Sequence, residues 1–289
     1  MTTQLVEQKC VSDWRELNYV GGPKNGPPLV MLHGVTRRWQ DFMPLIPSLA
    51  LRWQVFALDF RGHGKSDRTP DEYLTVHYMH DARALLENTI KQPAIVYGHS
   101  LGAMVALAIA AEIPDLVRAV VLEDPPFETM GKRIERTPLL SYFAALQQLA
   151  GEKDSVAEYA RALADLRYGP PGDEQSIRLA DVRDAAEMRF SARCLMDLDP
   201  QVFEPIVSSR WLESYDLNVF LPHIKCPVLL MQADQSAGGM LAHEDAATLE
   251  SRLPDLTKIN FNGVGHSIHW MATSTTLRLV TAFLESLSE

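Results

Sequence analysis

The sequence predicts an α/β protein with a mostly parallel, doubly wound sheet and a helical segment inserted into it. Short apolar strand patterns alternate with helical patterns along most of the 289 residues, as is typical of a parallel sheet with helices on both faces. This alternation breaks in residues 125–222, where the pattern is charged and mostly helical. A Gly-x-Ser-x-Gly motif at residues 98–102 lies directly between a strand pattern and a helix pattern, where a strained strand-to-helix turn is expected.

Eight short segments have the apolar pattern of strands. The first two, at residues 7–11 and 15–19, are expected to form an antiparallel hairpin, and a turn-rich stretch at residues 21–28 leads into the first parallel strand. The parallel strands are expected at residues 29–32, 54–58, 94–97, 119–122, 228–231 and 258–261.

Helical patterns fill several connections between these strands. They are expected at residues 38–49, 76–90, 101–112, 244–252 and 273–287. Residues 1–124 and 223–289 are therefore assigned to the sheet-forming core.

Residues 125–222 are predicted to form a helical insertion. A Pro-Pro-Gly sequence at residues 170–172 and an Asp-Pro sequence at residues 199–200 punctuate it. Its large apolar residues are Phe127, Met130, Leu139, Tyr142, Phe143, Tyr168, Met188, Phe190, Met196 and Phe203. We expect most of them to form a small core of the insertion itself. A minority would line a substrate pocket, so that the insertion acts as a cap, or lid, over an active site.

The composition is that of a globular protein, since 46% of the residues are hydrophobic. The formal net charge of −10 argues against nucleic acid and anionic membrane surfaces as partners. The three cysteines, Cys10, Cys194 and Cys226, lie far apart without a CxxC pair, which favours buried thiols in a reducing compartment. The first ten residues lack a secretory signal pattern, and the longest uncharged apolar run, residues 101–111, is too short to span a bilayer. We therefore expect a cytoplasmic protein.

Ser100 is the candidate nucleophile. In a strand–turn–helix with glycine two residues to either side, the serine hydroxyl stands clear of the backbone, and larger side chains at residues 98 and 102 would collide. The helix that follows presents free N–H groups to a developing negative charge. This context favours nucleophilic acyl chemistry at Ser100.

Three further motifs accompany this one: His-Gly at residues 33–34, Asp-Phe-Arg-Gly-His-Gly-Lys-Ser at residues 59–66, and Gly-Val-Gly-His at residues 263–266. Together with Gly-x-Ser-x-Gly they resemble the α/β-hydrolase fold superfamily over nearly the whole chain, and within it the capped esterase, lactonase and peroxidase-like branch. The resemblance implies an α/β-hydrolase fold in which the insertion is the cap. It also implies that the 59–66 loop is structural and lies near the nucleophile turn.

The end of the 59–66 loop also matches the Gly-Lys-Ser of a phosphate-binding loop. That motif needs a glycine at the position of Asp59, and the residues that follow the loop do not start a helix. ATP binding is therefore rejected.

The resemblance implies an oxyanion hole made of two backbone N–H groups, those of Val35 and Leu101. Two such donors aimed at one point stabilise a tetrahedral oxyanion, and losing one raises the barrier by about 3–4 kcal/mol. His33 is interpreted as a loop-packing residue, because the backbone amides carry the role.

His266 is the expected general base, since the catalytic histidine of the family lies in this loop, between the last strand and the last helix. His269 follows three residues later, and His77 and His80 form another closely spaced pair. Such spacings could suggest metal ligands, but neither comes with Glu or Cys partners at zinc spacing. We therefore interpret them as surface or core histidines and expect neither a metal nor an organic cofactor.

Two aspartates compete for the role of triad acid. Most relatives in the family carry the acid after the strand that ends here near residue 231, but this chain has Ser236 at that position and Asp234 two residues earlier. Other relatives, including haloalkane dehalogenases, carry it at the end of the preceding strand, where Asp124 aligns. Glu123 should point to the other side of that strand by alternation. Asp124 is the preferred acid and Asp234 the alternative, although an aspartate at 124 can also simply cap or brace the insertion.

These features predict a serine hydrolase that cleaves an ester or lactone of a small to medium, largely apolar substrate through a Ser-His-Asp triad and an acyl-enzyme. The expected partners are that substrate and water, and an oligomer is possible. Thioester hydrolysis, carbon–carbon cleavage and perhydrolysis stay open, whereas serine at this turn disfavours epoxide hydrolases and dehalogenases. The alternatives outside catalysis are a hormone-type receptor that signals through cap movement and an inactive scaffold of the same fold.

Overall fold

An eight-stranded sheet forms the centre of the protein in a computed structural model that describes residues 4–168 and 176–287. The strands are β1 (Val6–Ser12), β2 (Arg15–Gly21), β3 (Pro28–Leu32), β4 (Gln54–Leu58), β5 (Ala94–His99), β6 (Val117–Glu123), β7 (Arg167–Tyr168), β8 (Ile177–Arg178), β9 (Val228–Ala233) and β10 (Leu256–Phe261). β7 and β8 pair with each other outside the sheet, and the other eight make it up.

The sheet is mostly parallel, which confirms the predicted fold class. Its strand order is β1-β2-β4-β3-β5-β6-β9-β10. β2 pairs antiparallel with β1 and with β4, and the pairings from β4 onward are parallel. β5 lies between β3 and β6, so the carboxyl ends of these three strands meet at one edge of the sheet. In open α/β sheets, ligands bind in the crevice outside that edge.

Helices connect the strands and cover both faces of the sheet. They are α1 (Ile46–Leu49), α2 (Thr75–Ala84), α3 (Leu101–Glu112), α4 (Leu139–Leu149), α5 (Val156–Asp165), α6 (Leu179–Val182), α7 (Ala185–Asp197), α8 (Glu204–Val207), α9 (Leu217–Phe220), α10 (His243–Arg252), α11 (Ile268–Met271) and α12 (Thr273–Ser286). A π-helical turn at Leu85–Ile90 continues α2. Short 3-10 turns lie at Trp39–Phe42, Pro114–Leu116, Phe127–Thr129, Ile134–Arg136, Pro200–Phe203, Leu221–His223 and Gln235–Ala237.

The continuous helix predicted at residues 38–49 is wrong. The segment forms a 3-10 turn at Trp39–Phe42 and only then the short helix α1. Pro44 explains the break, because proline has no N–H and its ring clashes with the preceding turn of a helix, whereas Pro47 fits the first turn of α1. As a result Asp41 lies in a tight turn with its side chain fully buried.

Apolar clusters fill both faces of the sheet. One cluster packs Phe42 and the α12 side chains Val280 and Leu284 against one face of the strands. The other packs α2 and α3 against the opposite face, and α3 is buried over its first ten residues. Strands covered on both faces must be apolar throughout, which is why β3, β5 and β6 lack polar alternation over most of their length.

The insertion at residues 125–222 shares its core with the sheet and does not form the separate small core that we expected. The predicted apolar residues buried in the same continuous cluster as α2 and α3 are Phe127, Met130, Leu139, Phe143, Met188 and Phe203. Tyr142 and Met196 pack against this cluster. The Tyr168 side chain and the Pro-Pro-Gly sequence at residues 170–172 lie outside the described residues.

Polar contacts also tie the insertion to the sheet-forming part. Tyr73 Oη donates a hydrogen bond to Asp199 Oδ2 at 2.7 Å, and Tyr215 Oη donates to the backbone carbonyl of Met104 at 3.0 Å. Because these groups are buried, each bond satisfies a polar atom that would otherwise be costly to bury. The insertion is therefore anchored by packing and by buried hydrogen bonds.

The three cysteines are free thiols, two of them buried and Cys226 half-buried. Burial raises the pKa of Cys10 and Cys194 to about 12 and that of Cys226 to about 11. These thiols are therefore protonated and unreactive at neutral pH. None of the helices in the described part of the chain combines the length and the apolar character needed to cross a bilayer.

Candidate active site

Ser100 lies at a sharp turn between β5 and α3. Its backbone has a positive φ of 55° with ψ −116°, a strained combination that a residue with a side chain rarely adopts, and its N–H donates to the Glu123 carbonyl at 2.9 Å. A Cβ at Gly98 would lie 2.1 Å from the Gly102 carbonyl oxygen, and a Cβ at Gly102 would lie 1.9 Å from the Leu32 carbonyl oxygen. Only glycine fits at both positions, so the motif is a consequence of how tightly the turn packs.

The loop after β3 packs directly against this turn. A Cβ at Gly34 would lie 3.1 Å from Ser100 Cβ. Two buried histidines fix the loop: His33 donates from Nδ1 to the Gly34 carbonyl at 2.8 Å, and His63 Nε2 accepts from the Thr36 N–H at 3.2 Å. Burial lowers the pKa of His33 to about 4 and that of His63 to about 3, so both rings are neutral. These contacts agree with the interpretation of His33 as a loop-packing residue.

Two backbone N–H groups near Ser100 are without a hydrogen-bond acceptor among the described residues. They belong to Val35, in the loop after β3, and to Leu101, the first residue of α3. The first N–H groups of a helix have no partner within the helix and favour negative charge. Both residues named as oxyanion-hole donors therefore have N–H groups free to bind a ligand.

His266 and Asp124 lie side by side, with His266 Nδ1 2.7 Å from Asp124 Oδ2. Asp124 follows β6 and its side chain is fully buried. Its carboxylate also accepts backbone N–H bonds from Ala233 at 3.1 Å, Met240 at 2.7 Å and Leu241 at 3.2 Å. Four donors thus hold this carboxylate in one orientation.

The His266 ring is the more accessible member of this pair, with 23% of its side chain exposed. Burial lowers the pKa of His266 below its usual 6.5, and the hydrogen bond to Asp124 opposes that shift. Since Asp124 occupies Nδ1, Nε2 is the nitrogen left to exchange a proton. The ring is neutral at neutral pH, as a general base must be.

Asp234, the alternative acid, has different partners. Its carboxylate caps the 3-10 turn Gln235–Ala237 by accepting the Ser236 N–H at 2.9 Å and the Ser236 hydroxyl at 2.6 Å. Its second oxygen accepts the Gly263 N–H at 2.8 Å. The structure therefore brings Asp124 to His266 and leaves Asp234 bracing the loop that leads to His266.

Residues 59–66 form a loop that packs around the buried carboxylate of Asp59. Asp59 accepts hydrogen bonds from Asn18 Nδ2 at 2.8 Å and from the N–H groups of Trp39 at 2.7 Å and Lys65 at 3.1 Å. A Cβ at Gly64, which has φ 54°, would lie 2.3 Å from the Asp59 carboxylate. The loop thus closes around a buried carboxylate, which is a structural arrangement and leaves no room for a phosphate there.

A buried polar cluster next to the nucleophile turn, here called the buried cluster behind Ser100, was missed by the sequence analysis. It consists of Asp41, His99, Glu123 and His269. Glu123 does point away from Asp124, and there its Oε1 accepts from the ring Nδ1 of His269 at 2.8 Å and from its backbone N–H at 2.9 Å. Asp41 Oδ2 lies 3.4 Å from His269 Nε2 and 3.6 Å from His99 Nδ1. All four side chains are buried. The available signal was a pair of consecutive acids at the end of one strand together with two histidines three residues apart.

Within the described residues, one group of side chains has ligand atoms close enough to hold a metal ion: His99, Glu123 and His269, whose atoms lie within 4.8 Å of one another. Both ring nitrogens of His269 already face carboxylate oxygens. The other noted histidine pair has a different arrangement, since His77 Nδ1 accepts the Leu74 N–H at the start of α2 and the His80 side chain is exposed.

The fold and the arrangement around Ser100 agree with the comparison of this chain with known families. A family model described as the alpha/beta hydrolase fold matches residues 27–273. The chain belongs to the α/β-hydrolase fold family, and it is a hydrolase at the level at which that family is defined.

Individual relatives are similar over most of the chain. The 2-(acetamidomethylene)succinate hydrolase of Mesorhizobium japonicum is 28% identical, over 91% of this chain and 89% of that protein. The sn-1-specific diacylglycerol lipase ABHD11 of Xenopus laevis is 26% identical, over 90% of this chain and 80% of that protein. A crystal structure of E-2-(acetamidomethylene)succinate hydrolase matches with a TM-score of 0.78 and 23% identity, covering 98% of this chain and 100% of that one. The relatives differ in the substrate that their names describe.

Proposed function

We propose that the protein hydrolyses a carboxylic ester or lactone through a triad of Ser100, His266 and Asp124 and an acyl-enzyme. The observation that carries the proposal is the 2.7 Å contact between His266 Nδ1 and Asp124 Oδ2. The His266 ring packs against His99, with ring centroids 4.7 Å apart, and His99 directly precedes Ser100 in the strained turn between β5 and α3. A buried carboxylate on Nδ1 fixes the tautomer in which Nε2 can accept a proton. This arrangement has the parts needed for nucleophilic acyl transfer.

The reaction follows from the roles of these groups. Ser100 Oγ attacks the carbonyl carbon while His266 Nε2 takes its proton, and the negative charge that develops on the carbonyl oxygen is stabilised by the Val35 and Leu101 N–H groups. His266 then gives the proton to the leaving alkoxide, and Ser100 remains acylated. Water, deprotonated by His266, attacks the acyl-enzyme and releases the acid. Asp124 stabilises the imidazolium that forms twice in this cycle.

Asp124 is proposed as the acid in preference to Asp234. The partners of Asp234 are the Ser236 and Gly263 groups of its own loop region, and those bonds use both of its carboxylate oxygens. Asp124 has both the contact to His266 and three backbone N–H donors that hold its carboxylate in place. An ionised, immobile carboxylate is what the imidazolium requires.

The insertion at residues 125–222 is proposed to be a cap that sets substrate size. The chain enters it directly from Asp124, and its first large side chains, Phe127 and Met130, are buried in the apolar cluster. An insertion with apolar side chains that begins directly after Asp124 favours a substrate with an apolar acyl or alcohol group. This supports a small to medium, largely apolar substrate.

Hydrolysis of an amide-type bond is the second candidate function. The support is the similarity, over 91% of this chain, to a relative whose name describes an acetamidomethylene substrate. The same triad can cleave amides, although the amine leaving group needs protonation by His266 before it departs. Matched ester and anilide substrates with the same acyl group would separate the two candidates.

We also propose that the protein is cytoplasmic and that it is an active enzyme. The free thiols Cys10, Cys194 and Cys226 support a reducing, cytoplasmic location. The free Val35 and Leu101 N–H groups support an enzyme over an inactive scaffold, because an oxyanion hole has no use without chemistry. A receptor of the same fold would differ by retaining its product.

The test is the Ser100→Ala variant, with Ser251→Ala on the exposed face of α10 as its matched control. The wild type and the control are expected to react with a fluorophosphonate probe and to turn over members of a panel of p-nitrophenyl esters and lactones. Ser100→Ala is expected to lose labelling and about 10⁶-fold in kcat. Turnover by Ser100→Ala near the wild-type rate would overturn the proposal, and labelling without product release would favour the receptor.

A further inference from the structure

The buried cluster behind Ser100 has no role in the mechanism proposed above, yet its members are neighbours of the triad in the chain. Glu123 directly precedes Asp124, and His269 follows His266 by three residues. Glu123 and His269 are fully buried and bonded to each other at 2.8 Å. The end of β6 and the start of α11 are therefore joined by two parallel contacts, one through each acid–histidine pair.

His99 adds two more connections. It directly precedes Ser100, and its Nε2 donates to the backbone carbonyl of His266 at 3.2 Å. Its Nδ1 lies 3.6 Å from Asp41 Oδ2, and its ring centroid lies 5.0 Å from that of His269. The turn that carries the nucleophile thus contacts the same cluster.

Both ring nitrogens of His269 lie near carboxylate oxygens: Nδ1 donates to Glu123 Oε1 at 2.8 Å, and Nε2 lies 3.4 Å from Asp41 Oδ2, within ion-pair range but without a hydrogen bond. A neutral imidazole has one N–H, so one of its nitrogens would aim a lone pair at a carboxylate. Arg37 Nε lies 3.7 Å from Asp41 Oδ1, so with a neutral His269 the two buried carboxylates would share a single cation, Arg37, that contacts only Asp41, which is destabilising. The geometry therefore favours a ring that carries two protons.

The electrostatics of the cluster agree with this. Although burial alone would lower it, the charges of Glu123 and Asp41 raise the pKa of His269 to about 10. Burial likewise opposes ionisation of Glu123, but His269 and His99 lower the pKa of Glu123 to about 2. Tyr97 Oη also donates to Glu123. The group is a buried ion pair at neutral pH.

We infer that His269 is a positioning residue whose imidazolium, held between Glu123 and Asp41, fixes the chain segments that carry the triad and the oxyanion loop. Asp41 lies in the 3-10 turn that follows the oxyanion loop, Glu123 lies beside the acid, and His269 itself lies beside the base. This inference rests on the proposed function, because the segments it fixes are those of the proposed triad. Catalysis depends on such preorganisation, since a 1 Å misplacement costs on the order of 10²-fold in rate.

The charge of His269 also acts on His266. Other ionisable groups border the cluster: Arg37 lies 3.7 Å from Asp41 and 3.6 Å from Glu187, and the His99 ring packs against both His266 and His269. These groups are the same in the wild type and in a His269 variant, so replacing the His269 cation makes the cluster more negative by one charge. Removing the His269 charge leaves an excess negative charge behind His266. An excess negative charge favours the protonated imidazole, so the pKa of His266 rises.

The first experiment compares His269→Gln with His223→Gln, a histidine exposed on the surface in the turn Leu221–His223. For His269→Gln we expect kcat to fall on the order of 10²-fold with KM changed less than about threefold, since the group does not touch substrate. The acid limb of kcat/KM should move to higher pH. The control variant should match the wild type in all three quantities.

The second variant, His269→Gln with Glu123→Gln, removes one charge of each sign. Its acid limb should return toward that of the wild type, because the charges in the cluster balance again. Its kcat should stay low, because the ion-pair contacts that position the chain segments are still absent. A purely structural role predicts no movement of the acid limb in either variant. Unchanged kcat and an unchanged acid limb in folded His269→Gln would overturn the inference.

The third measurement needs no variant to be active. In ¹⁵N-histidine-labelled wild-type protein at pH 8, the ring assigned to His269 should carry protons on both nitrogens. A His269 ring that loses a proton near pH 6.5 would overturn the inference, as would a stoichiometric metal ion bound by the purified protein. If the wild type neither reacts with the fluorophosphonate nor turns over any substrate, the proposed function fails, and the ring spectra then decide the state of His269 alone.

Discussion

Asp124–His266 and Glu123–His269 are two acid–histidine pairs made of neighbouring residues that lie on opposite sides of the end of β6. The contacts are nearly equal in length, 2.7 Å from His266 Nδ1 to Asp124 and 2.8 Å from His269 Nδ1 to Glu123. Their surroundings differ. The His266 side chain is 23% exposed and the His269 side chain is fully buried.

The second nitrogen of each ring decides what the pair can do. His269 Nε2 faces a second carboxylate, that of Asp41, and the ring is held as a cation. His266 has one carboxylate partner, and burial lowers the pKa of His266, so the ring is neutral and Nε2 can accept a proton. One carboxylate orients a base, whereas two carboxylates convert the same side chain into a fixed ion.

The largest expected effect comes from breaking the first pair. Asp124→Asn should lower kcat on a p-nitrophenyl ester by on the order of 10⁴-fold, because an amide at this position favours the wrong imidazole tautomer. The control is Asp115→Asn, an exposed aspartate in the turn Pro114–Leu116, for which kcat should stay within about twofold. Near-wild-type kcat in Asp124→Asn would exclude it as the triad acid.

Breaking the Glu123–His269 pair should lower the free energy of unfolding more than breaking an exposed ion pair does. Glu123→Gln leaves the His269 cation with one carboxylate in a fully buried site, and losing one partner of a buried ion pair costs about 3 kcal/mol or more in the free energy of unfolding. Urea denaturation measures this. Glu250→Gln breaks an exposed ion pair with Lys258 and should cost at most about 1 kcal/mol. Equal losses in the two variants would mean that the buried cluster contributes little.

The two pairs should also respond to different pH ranges. The pKa of His269 is raised to about 10 in the folded protein from 6.5 in the unfolded chain. Its contribution to stability is therefore complete below pH 6.5 and is lost as the pH rises toward 10, at up to about 1.4 kcal/mol per pH unit. Activity instead requires neutral His266, so the acid limb of kcat/KM should lie below pH 6.5.

These two ranges are separated by measuring unfolding and turnover on the same samples between pH 5 and 10. The loss of unfolding free energy above pH 6.5 should be smaller in His269→Gln, because that variant lacks the titrating ring. A wild-type protein whose stability is flat from pH 6.5 to 10 would contradict the assignment of His269 as a buried cation.

The nucleophile turn could be predicted from sequence because its geometry is local. Gly98 and Gly102 flank Ser100 within five residues. The clash that requires Gly98 lies within this segment, at the Gly102 carbonyl, whereas the clash that requires Gly102 comes from the Leu32 carbonyl of β3. The strands β3 to β6 and β9 were also found, because buried parallel strands are continuous apolar runs. The edge strand β10 was found as well, although its sequence is mixed and only Phe261 in it is buried. His266 was reached only through the resemblance to a family, since a lone histidine in a glycine-rich loop has no local signature.

The rest of the site depends on contacts that are distant in sequence. The carboxylate of Asp124 is held by N–H groups of Met240 and Leu241, which the chain brings back after more than 100 residues. The position of Asp41 in the cluster was not predicted, because the sequence predicted a helix over residues 38–49. The structure instead has a 3-10 turn at Trp39–Phe42 that ends before Pro44. Residues that meet only after the sheet has formed have no pattern of spacing that a single sequence can display.

The smallest expected effect concerns Asp234. Because its carboxylate braces the loop of Ser236 and Gly263, Asp234→Asn should keep one acceptor oxygen and lose the other bond, lowering Tm by about 1–3 °C with kcat within about threefold of the wild type. Any loss of activity should be regained at lower temperature, since the loop that leads to His266 is only loosened. The test is to measure Tm by thermal unfolding and kcat at 10 and 30 °C for this variant and the wild type. A variant of normal Tm with kcat reduced as far as in Asp124→Asn would move the triad acid to β9, and the two acid–histidine pairs would then both be structural.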